Sequence, residues 1–396
     1  MTPTHPFVES SLEISQKLTD KVLQPMKTTF IGKDEVIDLL GVSLVARENL
    51  FILGPPGTAK SALVQDLSRR IDGQVFDYLL TRFTEPNEIL GPFDIRQLRE
   101  GNLVTNTEGM LPEATFVFLD ELLNANSAIL NSLLMVLNER VFRRGRETRS
   151  LPTLLVVGAS NSLPKDDALR ALFDRFLLRI NSTNVDEDSM SELLRKGWQM
   201  EHLSAGPPAI TVDEVVSLQS LVAQVSLNSV LPTYIHTVKR LRAAGIEISD
   251  RRAVKLQRML AASAILCGRM EADFSDLWVL RYIWDTFEQQ EILSALIRKA
   301  IESASQAAET GTLTATHRRH PQSQVLNLPN AEALGRDLME LETRVNSVNL
   351  SDAELTQIKD QLTILASQIS WVNNEHQANF LQSKVQDIWN RIEAAV

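Results

Sequence analysis

The chain has 396 residues, of which 44% are hydrophobic and 23% are charged. This is the composition of a globular protein with room for two or three domains. The formal net charge of -10 argues against broad non-specific binding to nucleic acid, and the single cysteine, Cys267, excludes an internal disulfide. Because no secretory leader and no run of eighteen apolar residues is found, we expect a cytoplasmic protein without a membrane span.

The region from about residue 30 to 180 alternates short apolar runs with amphipathic stretches. The apolar runs predict buried strands, and the amphipathic stretches have helical spacing. The predicted strands are 49–54, 114–120 and 153–161, and the predicted helices between them are 61–71 and 125–141. Apolar strands separated by helices predict an α/β fold with a mostly parallel sheet, covered by helices on both faces.

Two segments interrupt this alternation and predict hairpin-like insertions. Segment 92–114 alternates around Glu100-Gly101-Asn102, and segment 140–152 turns at Arg144-Gly145. Without further information both are simple surface insertions.

Strand signals fade beyond residue 185, and helical signals replace them. Thr211 and Glu214 form a capping-box pattern before an apolar run, and helical spacing continues to about residue 300. The polar, small-residue-rich stretch that follows predicts a linker. The predicted domains are an αβα domain with an N-terminal helical segment (1–185), an all-α lid (186–302), a linker (303–328) and a C-terminal helical segment (329–396).

Three sets of apolar residues in the C-terminal segment recur at intervals of three and four. The first is Leu334, Leu338, Leu341, Val345 and Val348; the second is Leu355, Ile358, Leu362, Leu365, Ile369 and Val372; the third is Leu381, Val385, Ile388 and Ile392. Ser351 and Glu354 form a capping-box pattern before the second set. The spacing predicts three amphipathic helices in a small bundle or a folded-back coiled coil. The role of this segment stays open between a self-contained stabilising bundle and a docking or oligomerisation element.

The stretch from Gly54 to Ser61 nearly matches a phosphate-binding loop, with Ala59 where a second glycine is expected. Lys60 would reach the β- and γ-phosphates of a nucleotide, and Ser61 would bind Mg²⁺ through its hydroxyl. We expect Ala59 to keep a negative φ, with its methyl group directed away from the phosphates. The candidate nucleotide-binding residues here are Gly54, Pro55, Pro56, Gly57, Thr58, Ala59, Lys60, Ser61 and Ala62.

Two further predicted strands end in residues suited to phosphate chemistry. Asp120 suits a Mg²⁺-linked role, and Glu121 suits a general base that activates the attacking water. The alternative is a strand followed by an acidic helix start. Asn161 could hydrogen-bond the attacking water or the γ-phosphate, although an asparagine after a strand is often only a turn residue.

The order of these elements resembles AAA+ ATPases, and more narrowly the MoxR group and its regulatory ATPase variant A (RavA) subgroup. The resemblance covers roughly residues 25–295. It is carried by "LGPPGTAKS", "LTRFTEPNEILGPFDI", "GMLPEATFVFLDE", "AILNSLLMVLNER", "GASNSLP", "ALFDRFLLRI" and "ISDRR". It implies ATP and Mg²⁺ as ligands, and the MoxR group commonly tolerates alanine before the loop lysine.

The resemblance also implies roles for residues outside the phosphate loop. Asn161 resembles sensor 1, and Arg175 in "FDRF" resembles the arginine finger that completes a neighbouring subunit's site. Arg251 resembles sensor 2, with the adjacent Arg252 as the alternative. The segment containing Ile31 and Gly32 resembles the part that packs on adenine, and the two insertions resemble those that face the pore and partners.

The function implied is that of an ATP-hydrolysing ring, a hexamer by family likeness, that remodels or matures protein complexes, often with a von Willebrand factor A domain partner. Two alternatives remain: a DNA-dependent motor, and a nucleotide-gated scaffold with little turnover. The motor is suggested by an arginine cluster in the second insertion, namely Arg140, Arg143, Arg144, Arg146 and Arg149. One departure is clear, since RavA proteins carry a β-rich insertion beyond the lid and this tail shows only helical spacing.

Overall fold

A computed structural model provides the structure. It describes residues 6–100, 103–144, 147–164, 167–200, 206–310, 319–324, 331–345, 358–359, 362, 365–366 and 375–394. The chain divides into two compact units, Met1–Gln324 and Val325–Val396. Within the described ranges, no helix combines the length and apolarity that a bilayer crossing would require.

Strands and helices alternate in the first half of the first unit, and helices follow. The strands are β1 Leu50–Leu53, β2 Val75–Leu79, β3 Phe116–Asp120, β4 Val141–Arg144, β5 Glu147–Ser150, β6 Leu155–Ser160 and β7 Leu178–Asn181. The helices are α1 Pro6–Leu18, α2 Gln24–Thr29, α3 Asp34–Ala46, α4 Lys60–Arg70, α5 Pro86–Leu90, α6 Ile95–Arg99, α7 Ser127–Glu139, α8 Asp167–Phe173, α9 Glu187–Met200, α10 Val212–Leu221, α11 Leu231–Ala243, α12 Asp250–Leu266, α13 Phe287–Thr310 and α14 Pro321–Gln324. A 3₁₀ helix, Phe274–Tyr282, lies between α12 and α13.

A parallel sheet of five strands in the order β2-β3-β6-β1-β7 forms the centre of this unit. Every residue of β1 and of β6 is buried, so both faces of these strands are covered. A strand covered on both faces is apolar throughout rather than alternating, which is why the runs are visible in the sequence. The predicted α/β class is confirmed.

The capping box predicted at Thr211 and Glu214 is present at the start of α10. The Thr211 hydroxyl accepts a hydrogen bond from the Glu214 amide at 3.3 Å, and the Glu214 carboxylate accepts one from the Thr211 amide at 2.8 Å. This reciprocal pair confirms the predicted capping box at the start of α10.

The two insertions differ in their structure. The second is the predicted hairpin, with β4 and β5 antiparallel. The prediction of a hairpin for 92–114 is wrong in its first arm, which contains α6. Among the described residues, an antiparallel bridge joins Phe93 to Thr105, and Gly101 and Asn102 of the predicted turn lie outside them. The Asp94 side chain accepts hydrogen bonds from the Arg96 and Gln97 amides, and this cap starts a helix where alternation suggested a strand.

The segment predicted to be a linker contains ordered structure at both ends. Helix α13 continues to Thr310, and residues 319–324 pack against earlier parts of the first unit, to which they belong. The His320 ring stacks on Trp278 with centroids 4.4 Å apart, and the Gln322 amide donates to the Asp38 carboxylate at 2.9 Å. These contacts join the end of the first unit to α3 and to the 3₁₀ helix.

The docking of His320 is expected to depend on pH. Burial lowers the pKa of His320 to about 3, and the charges of Lys27, Arg281 and Arg269 act in the same direction. The carboxylate nearest the ring, Asp38 at 3.8 Å, is itself bound by Lys27 at 2.6 Å. Since the pKa in the folded state lies below the unfolded value, the stabilisation is present above about pH 6.5 and is lost as the pH falls towards 3.

We therefore expect the free energy of docking to fall by about 2 kcal/mol between pH 7 and pH 5. The measurement is amide hydrogen exchange of residues 319–324, corrected for intrinsic rates. In His320→Gln, which has no titrating ring, protection should be weaker and should no longer fall between pH 7 and pH 5. Equal protection of the unaltered chain at pH 7 and pH 5 would contradict this assignment.

The second unit, taken by itself, has a helical core. Its described helices include α15 Ala331–Val345 and α16 Glu375–Ala394, joined by an ion pair between Glu342 and Arg391 at 2.9 Å. Residues from all three predicted sets of apolar residues form one buried cluster: Leu334, Leu338, Leu341, Ile358, Leu362, Leu365, Leu381, Val385, Ile388 and Ile392. Val345 packs against this cluster, whereas Val348, Ser351, Glu354, Leu355, Ile369 and Val372 lie outside the described residues.

Candidate nucleotide-binding site

The sheet brings the ends of three strands together. In the strand order, β6 lies between β1 and β3, so Asn161 after β6 lies between the loop that follows β1 and the acidic residues that end β3. The Gly54 amide donates to the Ser160 carbonyl at 3.0 Å, which fixes the start of the loop beside Asn161. The Asn161 side chain is exposed. Ligands of open α/β sheets bind at this carboxyl edge.

The loop from Gly54 to Ala59 connects β1 to the first turn of α4 and depends on its glycines. A Cβ atom at Gly54 would lie 2.2 Å from the Ser182 carbonyl oxygen, and Gly57 has a φ of +83°. No side chain caps the amino end of α4, so the N–H groups of its first turn have no side-chain acceptor. These N–H groups and the helix dipole fit an anion, as a nucleotide's phosphates would require.

Ala59 adopts a left-handed conformation, with φ 63° and ψ 22°. The prediction of a negative φ is therefore wrong, because the turn from the loop into α4 requires the backbone that glycine usually supplies. For a non-glycine residue this conformation costs roughly 1–2 kcal/mol. The methyl group packs against the hydrophobic core of the unit, which offsets part of that cost.

Ala59→Gly should relieve this strain without disturbing the phosphate loop. We expect a change in unfolding free energy within about 1 kcal/mol, because the relief of strain is opposed by lost packing and by glycine's greater unfolded-state entropy. ATP affinity should stay within about tenfold, or roughly 1.4 kcal/mol. Thermal unfolding and nucleotide titration measure the two quantities. A larger loss of affinity would show that the methyl group holds the loop in its binding conformation.

Two buried lysines lie at this loop. The Lys60 ammonium donates to the Gly54 and Pro55 carbonyls at 2.8 and 2.9 Å, so it folds back over the loop. The Lys33 ammonium donates to the Ser182 hydroxyl at 3.1 Å. Burial and the nearby charge of Lys60 hold the pKa of Lys33 below its ordinary value. Two buried neighbouring cations favour an anion between or beside them.

Lys33 is not singled out by any sequence pattern, although it directly follows the segment that contains Ile31 and Gly32. Gly32 has a φ of +68° and forms the turn between α2 and α3. Through Lys33, this turn is tied to Ser182, whose hydroxyl donates to the Thr58 carbonyl at 3.2 Å. Lys33 thus links the turn that contains Gly32 to the phosphate loop, and a contact of Ile31 and Gly32 with adenine stays a prediction.

The acidic pair lies at the end of β3, where Asp120 is the last residue of the strand and Glu121 follows it. Asp120 Oδ1 accepts a hydrogen bond from the Glu121 amide at 2.9 Å, and Glu121 has a left-handed φ of 49°. Asn124 Nδ2 donates to Glu121 Oε2 at 3.4 Å. Burial and the charge of Asp120 raise the pKa of Glu121, while the charge of Lys60 opposes the rise. A carboxylate of raised basicity suits proton abstraction from water.

The oxygen donors fit a magnesium ion held largely by a nucleotide. Ser61 lies in the first turn of α4 and Asp120 at the end of β3. Within the described part of the chain, no cluster of three or more histidine, cysteine or acidic side chains could hold a metal alone. Mg²⁺ is usually bound by one or two protein oxygens together with phosphates and water, so this donor set fits it.

Arg175 lies at the amino-terminal end of β1, on the side of the sheet opposite the phosphate loop. Its carbonyl accepts a hydrogen bond at 2.9 Å from Asn49, which immediately precedes β1, whereas Gly54 immediately follows β1. Five residues of extended strand separate the two edges by roughly 16 Å, beyond the reach of an arginine side chain. The Arg175 Nε is buried and has no hydrogen-bond partner among the described residues. This location suits a role at another subunit's site.

The two arginines at the start of α12 differ in their surroundings. The Arg252 side chain is buried and donates to the Asp285 carboxylate and to the Glu247 carbonyl, both at 3.2 Å. The Arg251 side chain is exposed. Because Arg252 is held in place within the protein, Arg251 is the better candidate for a nucleotide contact.

The arginines of the second insertion are engaged within the protein. Arg140 donates to Asn49 Oδ1 at 2.7 Å, and Arg143 pairs with Glu139 at 3.5 Å. The Arg144 guanidinium lies 4.0 Å from the ring centroid of Phe93, and Arg149 lies 3.9 Å from the Glu113 carboxylate. Arg146 is outside the described residues. Arg144 and Arg149 thus hold the first insertion, whereas Arg140 and Arg143 contact other parts of the protein.

Family comparisons match most of the first unit. Residues 16–220 match the family described as the MoxR domain in the MoxR-vWA-beta-propeller ternary systems. Residues 231–297 match the AAA lid domain.

Similarities to individual proteins agree with the family matches. An uncharacterised protein of Methanocaldococcus jannaschii is 35% identical over 287 residues, covering 72% of this chain and 74% of the relative. Chaperone MoxR1 of Mycobacterium tuberculosis is 24% identical over 224 residues, covering 54% of this chain and 57% of the relative. The crystal structure of a Cytophaga hutchinsonii protein, described as an ATPase candidate, is similar to this chain with a TM-score of 0.62 at 21% identity. The similarity covers 74% of this chain and 96% of that protein's chain. The last likeness bears on the fold alone, and with the lid match it confirms the predicted α/β AAA+ fold with a helical lid.

Proposed function

We propose, on the premise that the chain belongs to the MoxR family of AAA+ ATPases, that it hydrolyses ATP in a homo-oligomeric ring. One observation carries the proposal. Three neighbouring strands carry, at their carboxyl-terminal ends, the phosphate loop, Asn161 and the Asp120–Glu121 pair. Arg175 lies at the amino-terminal end of β1, on the opposite side of the sheet. Such a division leaves each site incomplete until a second subunit supplies its arginine.

Each residue of the site has a chemical role in this proposal. The N–H groups of the loop and of α4, together with Lys60, bind the β- and γ-phosphates, and Ile31 and Gly32 contact the base. Ser61 and Asp120 would hold Mg²⁺, which would neutralise charge developing on the phosphates. Glu121 accepts a proton from the attacking water, and the Asn161 amide orients that water. The remaining loop residues, Pro55, Pro56, Gly57, Thr58, Ala59 and Ala62, shape the cradle.

Two arginines would act on the nucleotide from different subunits. Arg175 would stabilise the charge on the transferring phosphoryl group in the neighbour's site. Arg251, exposed at the start of α12, would contact the nucleotide of its own subunit from the lid. A head-to-tail contact of this kind closes into a ring when the rotation between subunits permits, and we propose a hexamer.

The biological role proposed is chaperone-like remodelling or maturation of protein complexes in the cytoplasm. The family description names von Willebrand factor A domain systems, which supports a partner of that class. Placement in the RavA subgroup rests on the sequence motifs in residues 25–295. The described residues of the second unit are helical, so partner contacts that require a β-rich insertion do not transfer.

The test is phosphate release by the purified chain together with its sedimentation, with and without ATP, Mg²⁺ and duplex DNA. We expect magnesium-dependent release that increases as the chain assembles, and no stimulation by DNA. Tight nucleotide binding without turnover would favour the scaffold. Salt-sensitive stimulation by DNA would favour the motor. Affinity purification with Glu121→Gln in ATP should then retain a von Willebrand factor A domain protein.

A further inference from the structure

A buried cluster of charges lies between the segment that carries Arg175 and the lid. At its centre is Arg179 on β7, whose side chain is fully buried. The Asp285 carboxylate, from the segment before α13, pairs with Arg179 and also with Arg252 of α12. Two arginines from different parts of the fold thus share one carboxylate.

Arg179 holds the residues that precede Arg175. Its guanidinium donates to the Phe173 carbonyl at 3.1 Å and lies 4.1 Å from the centroid of the Phe173 ring. It also pairs with Asp174 at 3.6 Å. The Phe173 ring packs edge-on against Phe51 of β1 with centroids 4.9 Å apart. The backbone just before Arg175 is therefore fixed by Arg179 from one side and by the sheet from the other.

On the lid side, the cluster is tied to the start of α12. Arg179 donates to the Trp284 carbonyl at 2.7 Å, and the Asp285 amide donates to Gln289 Oε1 at 2.7 Å. Arg252 contacts the other oxygen of Asp285 at 3.2 Å. Arg252 is the neighbour in sequence of Arg251, the proposed nucleotide contact of the lid.

Burying the charges of Arg179 and Arg252 costs free energy. Burial, and next the charge of Arg252, lower the pKa of Arg179 to about 9. The Nε atoms of Arg179 and of Arg252 are buried and have no hydrogen-bond partner among the described residues. A buried cation that loses its carboxylate is strongly destabilised, so the positions of these three side chains depend on one another.

We infer that Arg179 and Asp285 are positioning residues that couple the lid helix carrying Arg251 to the arginine finger Arg175. This inference rests on the proposed function. A movement of α12 when the lid contacts nucleotide displaces Arg252 and hence Asp285. Arg179 then transmits the displacement to residues 173–175. The state of one subunit's nucleotide would thereby set the position of the finger that it presents to its neighbour.

The experiment uses mixed rings of two full-length variants. Arg175→Ala subunits keep their own phosphate loop but present no finger, and Glu121→Gln subunits bind ATP and present a finger but lack the general base. Mixing should restore turnover that neither variant has alone. Absence of recovery would overturn the finger assignment and with it the proposed function, before the cluster is tested.

Asp285→Asn is then added to the Glu121→Gln subunit only, so that every site with an intact Glu121 lies in a subunit that keeps Asp285. Recovered turnover should fall about 10–100-fold, because a small displacement of a catalytic group has effects of this size. The matched control is Glu48→Gln in the same subunit. It removes the carboxylate of another ion pair of α12, Lys255–Glu48 at 2.8 Å, which lies outside the cluster around Arg179, and recovery should be unchanged.

Sedimentation and thermal unfolding establish that each variant folds and assembles. Should Asp285→Asn unfold, Arg252→Lys replaces it, because lysine keeps the positive charge while losing the fork that contacts both Asp285 and the Ile283 carbonyl. Arg252→Lys should also lower recovered turnover at least tenfold, although it lies in the lid. Full recovery with either assembled variant overturns the coupling while leaving the finger assignment intact.

Discussion

Glu121→Gln should bind ATP with nearly unchanged affinity and hydrolyse it about 10²–10⁴-fold more slowly. This is the range that general-base catalysis contributes. Glutamine preserves the size of the side chain and its position after β3, but its amide cannot accept a proton from water. Asp120, Ser61 and Lys60 are unchanged, so the groups proposed to bind phosphate and Mg²⁺ remain. Nucleotide titration and single-turnover phosphate release measure the two effects separately.

The matched control is Glu139→Gln at the end of α7, an exposed glutamate that pairs with Arg143. It should change neither quantity. A Glu121→Gln protein with full turnover would remove Glu121 from the mechanism. A protein that loses ATP binding as well would indicate that Glu121 acts in binding rather than as a base.

The parts of the site that could be predicted are those encoded by local residue patterns within short stretches of sequence. Strands β1, β3 and β6 are apolar because both of their faces are covered, and the residues that follow them are conspicuous because they are polar. Parallel strands place such residues at one edge of the sheet. Gly54, Asp120 and Asn161 can therefore be grouped from the sequence, whereas the order of their strands in the sheet is a property of the fold.

Local conformation was predicted less well where side chains override a pattern. Ala59 takes the backbone that a glycine would take, because the loop must enter α4 at that point. Segment 92–114 alternates like a hairpin, but the Asp94 cap begins a helix within it. In both cases a single interaction or junction decides the conformation, and periodicity carries no information about it.

Contacts between distant residues were not accessible at all. Lys33 lies 149 residues before its partner Ser182, and Arg179 lies 106 residues before Asp285. Each of these side chains is unremarkable in sequence, since a lone lysine or arginine is usually exposed. Their burial and pairing follow from how the helices close over the sheet. The distinction between Arg251 and Arg252 depends on the same packing.

Arg175→Ala should fold, bind ATP and assemble, yet hydrolyse ATP about 10³–10⁵-fold more slowly, as expected for the loss of an arginine finger. Its location explains why binding survives, since roughly 16 Å of strand β1 separates it from the phosphate loop of its own subunit. Arg170→Ala on the preceding helix α8 is the matched control and should retain turnover.

The dependence on protein concentration distinguishes a finger acting between subunits from a group acting within one. Turnover per subunit of the unaltered chain should rise with concentration as subunits associate, because Arg175 reaches phosphate only across an interface. Arg175→Ala should associate equally well by sedimentation while its turnover stays low at every concentration. The contrary result is turnover per subunit that stays constant even at concentrations too low for the unaltered subunits to associate. Arg175 would then not act on a neighbour. The residue that stabilises the transferring phosphoryl group would have to lie in the same chain.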